Sequence, residues 1–238
     1  MTRISTIVPA YNEEKAITAV VNDILQTAEL QKLSITVVVV NDCSVDSTAE
    51  IISKLKCVAL NLPINLGIGG AVQTGFKYAF EHGFDYAIQI DGDGQHPASE
   101  ISKLVNAIKE NNLDIVIGSR FMSKEGFQSS AIRRFGINYF KWLNRFFVGV
   151  KVNDSTSGFR IINKKVLELV AENYPDEYPE PESIILYSLN KLKIGEVSVN
   201  MKERQGGVSS IGAVSSVYYM FKVTLAIIYT FIRIKFKK

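Results

Sequence analysis

Asp91 and Asp93 stand two residues apart at the end of a short apolar run, Tyr86-Ala87-Ile88-Gln89-Ile90, with Gly92 between them. In extended backbone, residues i and i+2 point to the same side, so both carboxylates leave the strand end together. Gly92 leaves room for another group to approach. Carboxylate oxygens placed this way suit Mg2+ or Mn2+, which keep open positions for phosphate oxygens. A cation held there would neutralise charge on a departing diphosphate. Four other apolar runs end in polar residues: Pro9-Ala10-Tyr11-Asn12-Glu13, Asn41-Asp42, Asn65 to Gly70, and Gly118-Ser119-Arg120. Ligands of open parallel sheets bind beyond the carboxyl ends of the strands. Five strand ends aiming polar groups at one edge define a site.

Gly67, Gly69 and Gly70 form a glycine-rich stretch, but Val72 breaks the GxGxxG pattern, and no GxxxxGK[ST] run exists. Dinucleotide binding of the Rossmann kind and P-loop binding are therefore excluded. A loop that lets a base or ribose approach the backbone at Gly67 and Gly69 fits. Two further blocks, residues 154–160 and 203–210, set Arg160 and Arg204 among glycines and hydroxyls, including Ser157 and Ser209. Guanidinium groups bind phosphate through paired hydrogen bonds, so each block suits an anion. His82 and His96 are isolated, and His96 fits a supporting place near the paired carboxylates better than a catalytic one.

The elements that must carry these residues alternate. Residues 4–8, 35–40, 58–62, 86–90 and 115–117 read as strands, and the β-branched run at 35–40 reads as buried on both faces. Helical spacing appears over 13–27, from 70 to 81, and after Pro97, where Ile101, Leu104, Val105 and Ile108 share a face. Ser47 and Glu50 make a capping-box pattern before Ile51, so a helix begins there. Residues 122–130 read as a polar loop and 132–148 as a long aromatic helix; 173–182, rich in Pro and Glu, reads as a loop. Strand–helix alternation predicts an α/β fold, a mostly parallel sheet with helices on both faces. Without a Gly/Ser-rich linker, the chain divides into a catalytic domain over 1–208 and an attachment segment over 209–238.

Apolar residues make up 47% of the chain, enough for a sizeable core, and the net charge of +3 calls for no nucleic acid. Cys43 and Cys57 show no metal-site or disulfide spacing and read as reduced thiols of a cytosolic protein. The amino terminus lacks the pattern of a signal peptide, so the catalytic body is expected in the cytosol. Residues 211–232 are mostly apolar, interrupted by Lys222, and the last six alternate basic and apolar. The segment could just span a bilayer if Lys222 snorkels; attachment along the cytosolic face of the membrane fits better.

Val8-Pro9-Ala10-Tyr11-Asn12-Glu13-Glu14, then Asn41-Asp42, then Asp91-Gly92-Asp93-Gly94-Gln95 resemble, in order and spacing, glycosyltransferase family 2 with its GT-A fold. Gly118-Ser119-Arg120, residues 154–160 and Arg204 to Ser209 are similar to the dolichol- and polyprenyl-phosphate sugar synthases of that family. Those synthases often close the last motif with Lys where this chain has Ser210. The resemblance implies a Rossmann-like GT-A domain with a membrane-associated helical end, acting on a nucleotide sugar. It implies that Pro9, Tyr11, Glu13 and Asp42 hold the nucleoside, with Gly67 and Gly69 alongside. It implies that Asp91, Asp93 and Gln95 hold the metal and diphosphate. Arg120, Arg134 and Arg204 would gather around the donor diphosphate and acceptor phosphate, with Ser157 and Ser209 on the acceptor side. The chemistry expected is a single displacement with inversion, from a UDP-sugar to polyprenyl phosphate, undecaprenyl phosphate in a bacterium. Extension of a lipid-linked polysaccharide is the alternative, and its hydroxyl acceptor would need a base, Asp154 or Glu182. A noncatalytic nucleotide-sugar-binding subunit is a third reading, which the intact carboxylate pair disfavours. A homo-oligomer or a small membrane protein could complete the assembly.

Overall fold

The computed structural model describes residues 2–122, 131–202 and 213–236. Seven strands form one sheet: β1 (Arg3–Ala10), β2 (Ser34–Asn41), β3 (Val58–Asn61), β4 (Tyr86–Gln89), β5 (Ile115–Ser119), β6 (Arg160–Asn163) and β7 (Ile194–Ser198), in the order β3-β2-β1-β4-β6-β5-β7. All neighbours run parallel except β6, which is antiparallel to both β4 and β5. Among the described residues, eight α-helices accompany it: α1 (Ile17–Leu30), α2 (Thr48–Ser53), α3 (Gly67–Glu81), α4 (Ile101–Glu110), α5 (Ala131–Val148), α6 (Lys164–Glu172), α7 (Pro179–Leu189) and α8 (Ala213–Lys235).

Of the β-branched run at 35–40, Val37 to Val40 are buried on both faces of β2, while Ile35 and Thr36 are partly buried. Val37 and Val39 join the core beneath α1 and α4, while Val38 and Val40 join the one beneath α3, α6 and α7. This is period-two alternation with both sides covered, so neither face needs polar residues. A third cluster, centred on Phe140, Leu143, Ile185, Val223 and Ile227, packs α5, α7 and α8 together beside the sheet.

The structure corrects several boundaries. α3 begins at Gly67, not Gly70, so the glycine stretch is the first turn of a helix. Gly69 is needed there because its N–H bonds the carbonyl of Asp176 at 3.1 Å and a Cβ would lie 2.0 Å from that oxygen. A contact between two chain segments thus accounts for this glycine, where the sequence suggested approach of a nucleotide. The Pro- and Glu-rich run is a loop only to Tyr178; Pro179 opens α7, with Glu180 and Glu182 in its first turn. Pro costs nothing there, since first-turn N–H groups have no partner within the helix. α2 starts where the capping-box pattern puts it, but the Ser47 side chain makes no cap bond; Asp46 accepts from the Thr48 N–H instead. Among the described residues, no helix is long and apolar enough to cross a membrane.

Candidate active site

The loops after β1 and β2 are fastened into one rim. Asn12 N–H donates to Ser44 Oγ at 3.0 Å, Val45 N–H to Asn12 Oδ1 at 2.9 Å, and Glu13 N–H to Thr48 Oγ1 at 2.9 Å. Pro9 is the next-to-last residue of β1, while Tyr11, just beyond the strand, is exposed. Asp42 is buried just beyond β2, and its Oδ1 accepts the Leu66 N–H at 2.7 Å, which fixes the approach to α3 and Gly67. The four residues expected around the nucleoside therefore lie on adjoining strand ends, as the sequence indicated.

The neighbouring strand end carries the paired carboxylates. Asp93 is 3% exposed, and its Oδ1 accepts the Gln95 N–H at 3.0 Å. Asp91 is more open, and Gln89 Nε2 lies 3.4 Å from its Oδ1. Gly158, at the entry to β6, lies against the same carboxylate: a Cβ there would stand 2.9 Å from Oδ1. Among the described residues, no three His, Cys, Asp or Glu side chains are spaced to hold a metal by themselves. Two carboxylates and the Gln95 amide fit a hard cation that takes its remaining ligands from diphosphate oxygens and water.

The cationic side of the site differs from expectation. Arg120 is buried and grips Asp154 with two bonds of 2.7 Å, Nε to Oδ2 and Nη2 to Oδ1, and its backbone N–H adds a third to Oδ2. Thr156 Oγ1 accepts from the same guanidinium. Asp154 is thus engaged as the counter-ion of Arg120 and is not presented as a base. Ser157 also turns inward, donating to the Gly118 carbonyl at 2.7 Å and tying β5 to β6. Arg160 is buried on Ser155, Ser157, Glu180 and Ser183, pinning β6 to α7. A guanidinium with this many internal acceptors holds the fold rather than an incoming anion. Arg204 and Ser209 lie outside the described residues; Arg134 falls in the first turn of α5, and its side chain is likewise outside them.

α7 brings two acids that the sequence placed in a loop. Burial pushes the Glu180 carboxyl up, the nearby Asp91 carboxylate pushes the same way, and Arg160 opposes both. Burial also raises Glu182, against a hydrogen bond from Thr230 of α8. Sequence reading missed Gln89 and Glu180. The signal for Gln89 was present: an amide inside an apolar strand, two residues before Asp91 and so on the same face.

A sheet edge that joins the bonded rim of the β1 and β2 loops to paired carboxylates agrees with a sequence relationship covering most of the chain. The protein belongs to glycosyltransferase family 2: residues 5–170 match the sequence profile described as glycosyl transferase family 2. It is therefore a glycosyltransferase, as its motifs implied. Among curated relatives, UDP-N-acetylglucosamine-dolichyl-phosphate N-acetylglucosaminyltransferase of Methanococcus voltae is 33% identical over 216 residues, 81% of this chain and 83% of the relative. Polyprenol monophosphomannose synthase of Mycolicibacterium smegmatis is 27% identical, covering 93% of this chain and 85% of the relative. In fold the chain is similar to glucosyl-3-phosphoglycerate synthase from Mycobacterium tuberculosis, solved with Mn2+, UDP and glucosyl-3-phosphoglycerate. That match has a TM-score of 0.72 and 16% identity, over 98% of this chain and 80% of that one.

Proposed function

We propose that this glycosyltransferase moves a sugar from a UDP-sugar to a polyprenyl phosphate, at a membrane surface and with Mg2+ or Mn2+. The observation that carries the reading is the placement of Asp91 and Asp93 beside the rim of the β1 and β2 loops, in a chain whose relatives include a dolichyl-phosphate N-acetylglucosaminyltransferase and a polyprenol monophosphomannose synthase. Asp91, Asp93 and Gln95 would hold the cation, which supplies positive charge against the leaving diphosphate. The rim from Tyr11 to Glu13 and Asp42 would hold the nucleoside. A phosphate monoester, with a second pKa of about 6, is largely dianionic near neutral pH and attacks without a protein base. That agrees with the engagement of both expected bases, Asp154 by Arg120 and Glu182 by Thr230.

The test is to offer a panel of UDP- and GDP-sugars with undecaprenyl phosphate and identify the product by mass spectrometry. A phosphodiester-linked product from a UDP-sugar is expected, and none from the corresponding free alcohol, which is uncharged and a poor nucleophile. Transfer only to a lipid-linked oligosaccharide would replace this reading with polysaccharide extension and make Glu180 the first residue to test as base.

For the membrane, α8 supplies the support. Its inner side, through Val223 and Ile227, closes the packing with α5 and α7, while Tyr218, Phe221, Leu225, Tyr229, Ile232 and Phe236 stand exposed at helical spacing. Trp142 and Phe146 of α5 are exposed as well, and Arg145, Arg233 and Lys235 add cations that favour anionic headgroups. Deletion of α8 would strip the core, so substitution is the cleaner probe. Replacing Phe221, Leu225 and Tyr229 together by Ser is expected to abolish sedimentation with anionic vesicles while leaving UDP binding intact. Unchanged sedimentation would place the attachment elsewhere.

A further inference from the structure

His96 follows the paired carboxylates in sequence, but its ring turns back onto the first of them. The side chain is 4% exposed and stacks on Phe159, with ring centroids 5.2 Å apart and planes 14° from parallel. Its Nδ1 lies 3.1 Å from the backbone nitrogen of Asp91. A backbone N–H can only donate, so Nδ1 carries the lone pair and the proton of the neutral ring sits on Nε2. That Nε2 lies 3.8 Å from Asp91 Oδ2. One ring therefore holds the main chain of Asp91 and flanks its carboxylate. The carboxylate is bracketed from elsewhere by Gln89 Nε2 and by Gly158, where any Cβ would press on both oxygens. The rest of the loop is pinned as well, with Asp93 Oδ1 on the Gln95 N–H and the Gln95 carbonyl on the Lys202 N–H.

We infer that His96 is a positioning residue of the donor site: as a hydrogen-bond acceptor through Nδ1, it fixes the loop so that the Asp91 carboxylate faces a divalent cation bound with the nucleoside diphosphate. The inference rests on the cation-dependent reading above. The other histidine of the chain makes the opposite contact. His82 Nδ1 lies 2.9 Å from the Tyr78 carbonyl oxygen, which can only accept, so its proton is on Nδ1. The two histidines must then be opposite tautomers.

Two measurements test this on the full chain. Nitrogen-15 NMR of the imidazole rings in mildly alkaline buffer, assigned with a His82→Gln variant, should show His96 with its proton on Nε2 and His82 with its proton on Nδ1. Mn2+ titration in the presence of UDP should separate two substitutions. His96→Asn places an acceptor near the position of Nδ1 and should keep the wild-type Mn2+ affinity. His96→Gln places it near Nε2 and should lose about 10- to 100-fold, the usual cost of removing a group that orients a metal ligand. Metal-free UDP binding should be the same in all three proteins. A proton on Nδ1 of His96, or equal Mn2+ affinity in the two variants, would overturn the inference, and the NMR result decides it if a variant does not fold. If wild-type protein binds UDP equally with and without Mn2+, the cation reading itself falls and takes this role with it. If wild type needs Mn2+ and both variants keep it, only the role of His96 falls.

Discussion

Asp93→Asn is expected to lower turnover by about a hundredfold or more, the scale of losing one fixed charge at a developing leaving group. The fold should survive. The substitution keeps the size of the side chain, and the oxygen of Asn can still accept the bond from the Gln95 N–H. Steady-state turnover measured beside a circular-dichroism melt separates the two effects: activity falls while the melting curve stays in place. Full activity of the variant, or of the wild-type protein in excess EDTA, would remove the cation from the mechanism.

The second large effect falls on stability. Asp154→Ala leaves the buried guanidinium of Arg120 without its counter-ion, and breaking a buried pair from one side costs about 3–5 kcal/mol. Urea denaturation should show that loss, and activity should fall with it. The companion variant, Arg120→Met with Asp154→Leu, is expected to regain most of the stability, because apolar residues of similar volume replace such pairs well. A catalytic base behaves otherwise: Asp154→Ala would then abolish transfer and leave the urea midpoint unchanged, and that result would return Asp154 to the chemistry.

Much of the sheet was legible because burial on both faces leaves a plain mark. The run Ile35 to Val40 has almost no polar interruption, and the polar residues closing each of the first five strands lie at one edge. β6 and β7 left no comparable mark. They are four and five residues long and carry Arg160 and Glu196, so neither continuity nor alternation shows. The first turns of α3 and α7 were read as loop because glycine and proline disfavour helix by propensity, yet tertiary packing decided both. Gly69 is held against Asp176, and Arg160 and Ser183 secure the start of α7. The site followed the same division. Asp42, Asp91 and Asp93 could be placed at strand ends from position alone, and the structure has them just beyond β2 and β4. Arg120, Asp154 and Ser157 were each singled out, but for separate roles as phosphate ligand, base and acceptor contact, because one sequence cannot show that they face one another. Two oppositely charged residues 34 positions apart look like two candidate functions until they prove to be partners.

That partnership also closes a neck. β5 ends at Ser119 and β6 begins at Arg160, so the chain makes a long excursion between two adjacent strands. Arg120 leaves the sheet and Asp154 returns to it, and their bond draws the two ends together before the sheet resumes. The register of β5 on β6 is thereby insulated from whatever the excursion contains. Doubling its length would add only about 0.6 kcal/mol of closure entropy. The length of this stretch can therefore change, outside the α5 positions that pack on α7 and α8, without disturbing the register of β5 on β6. The junction works like a socket: the sheet side keeps its register while the stretch beyond the bond can differ.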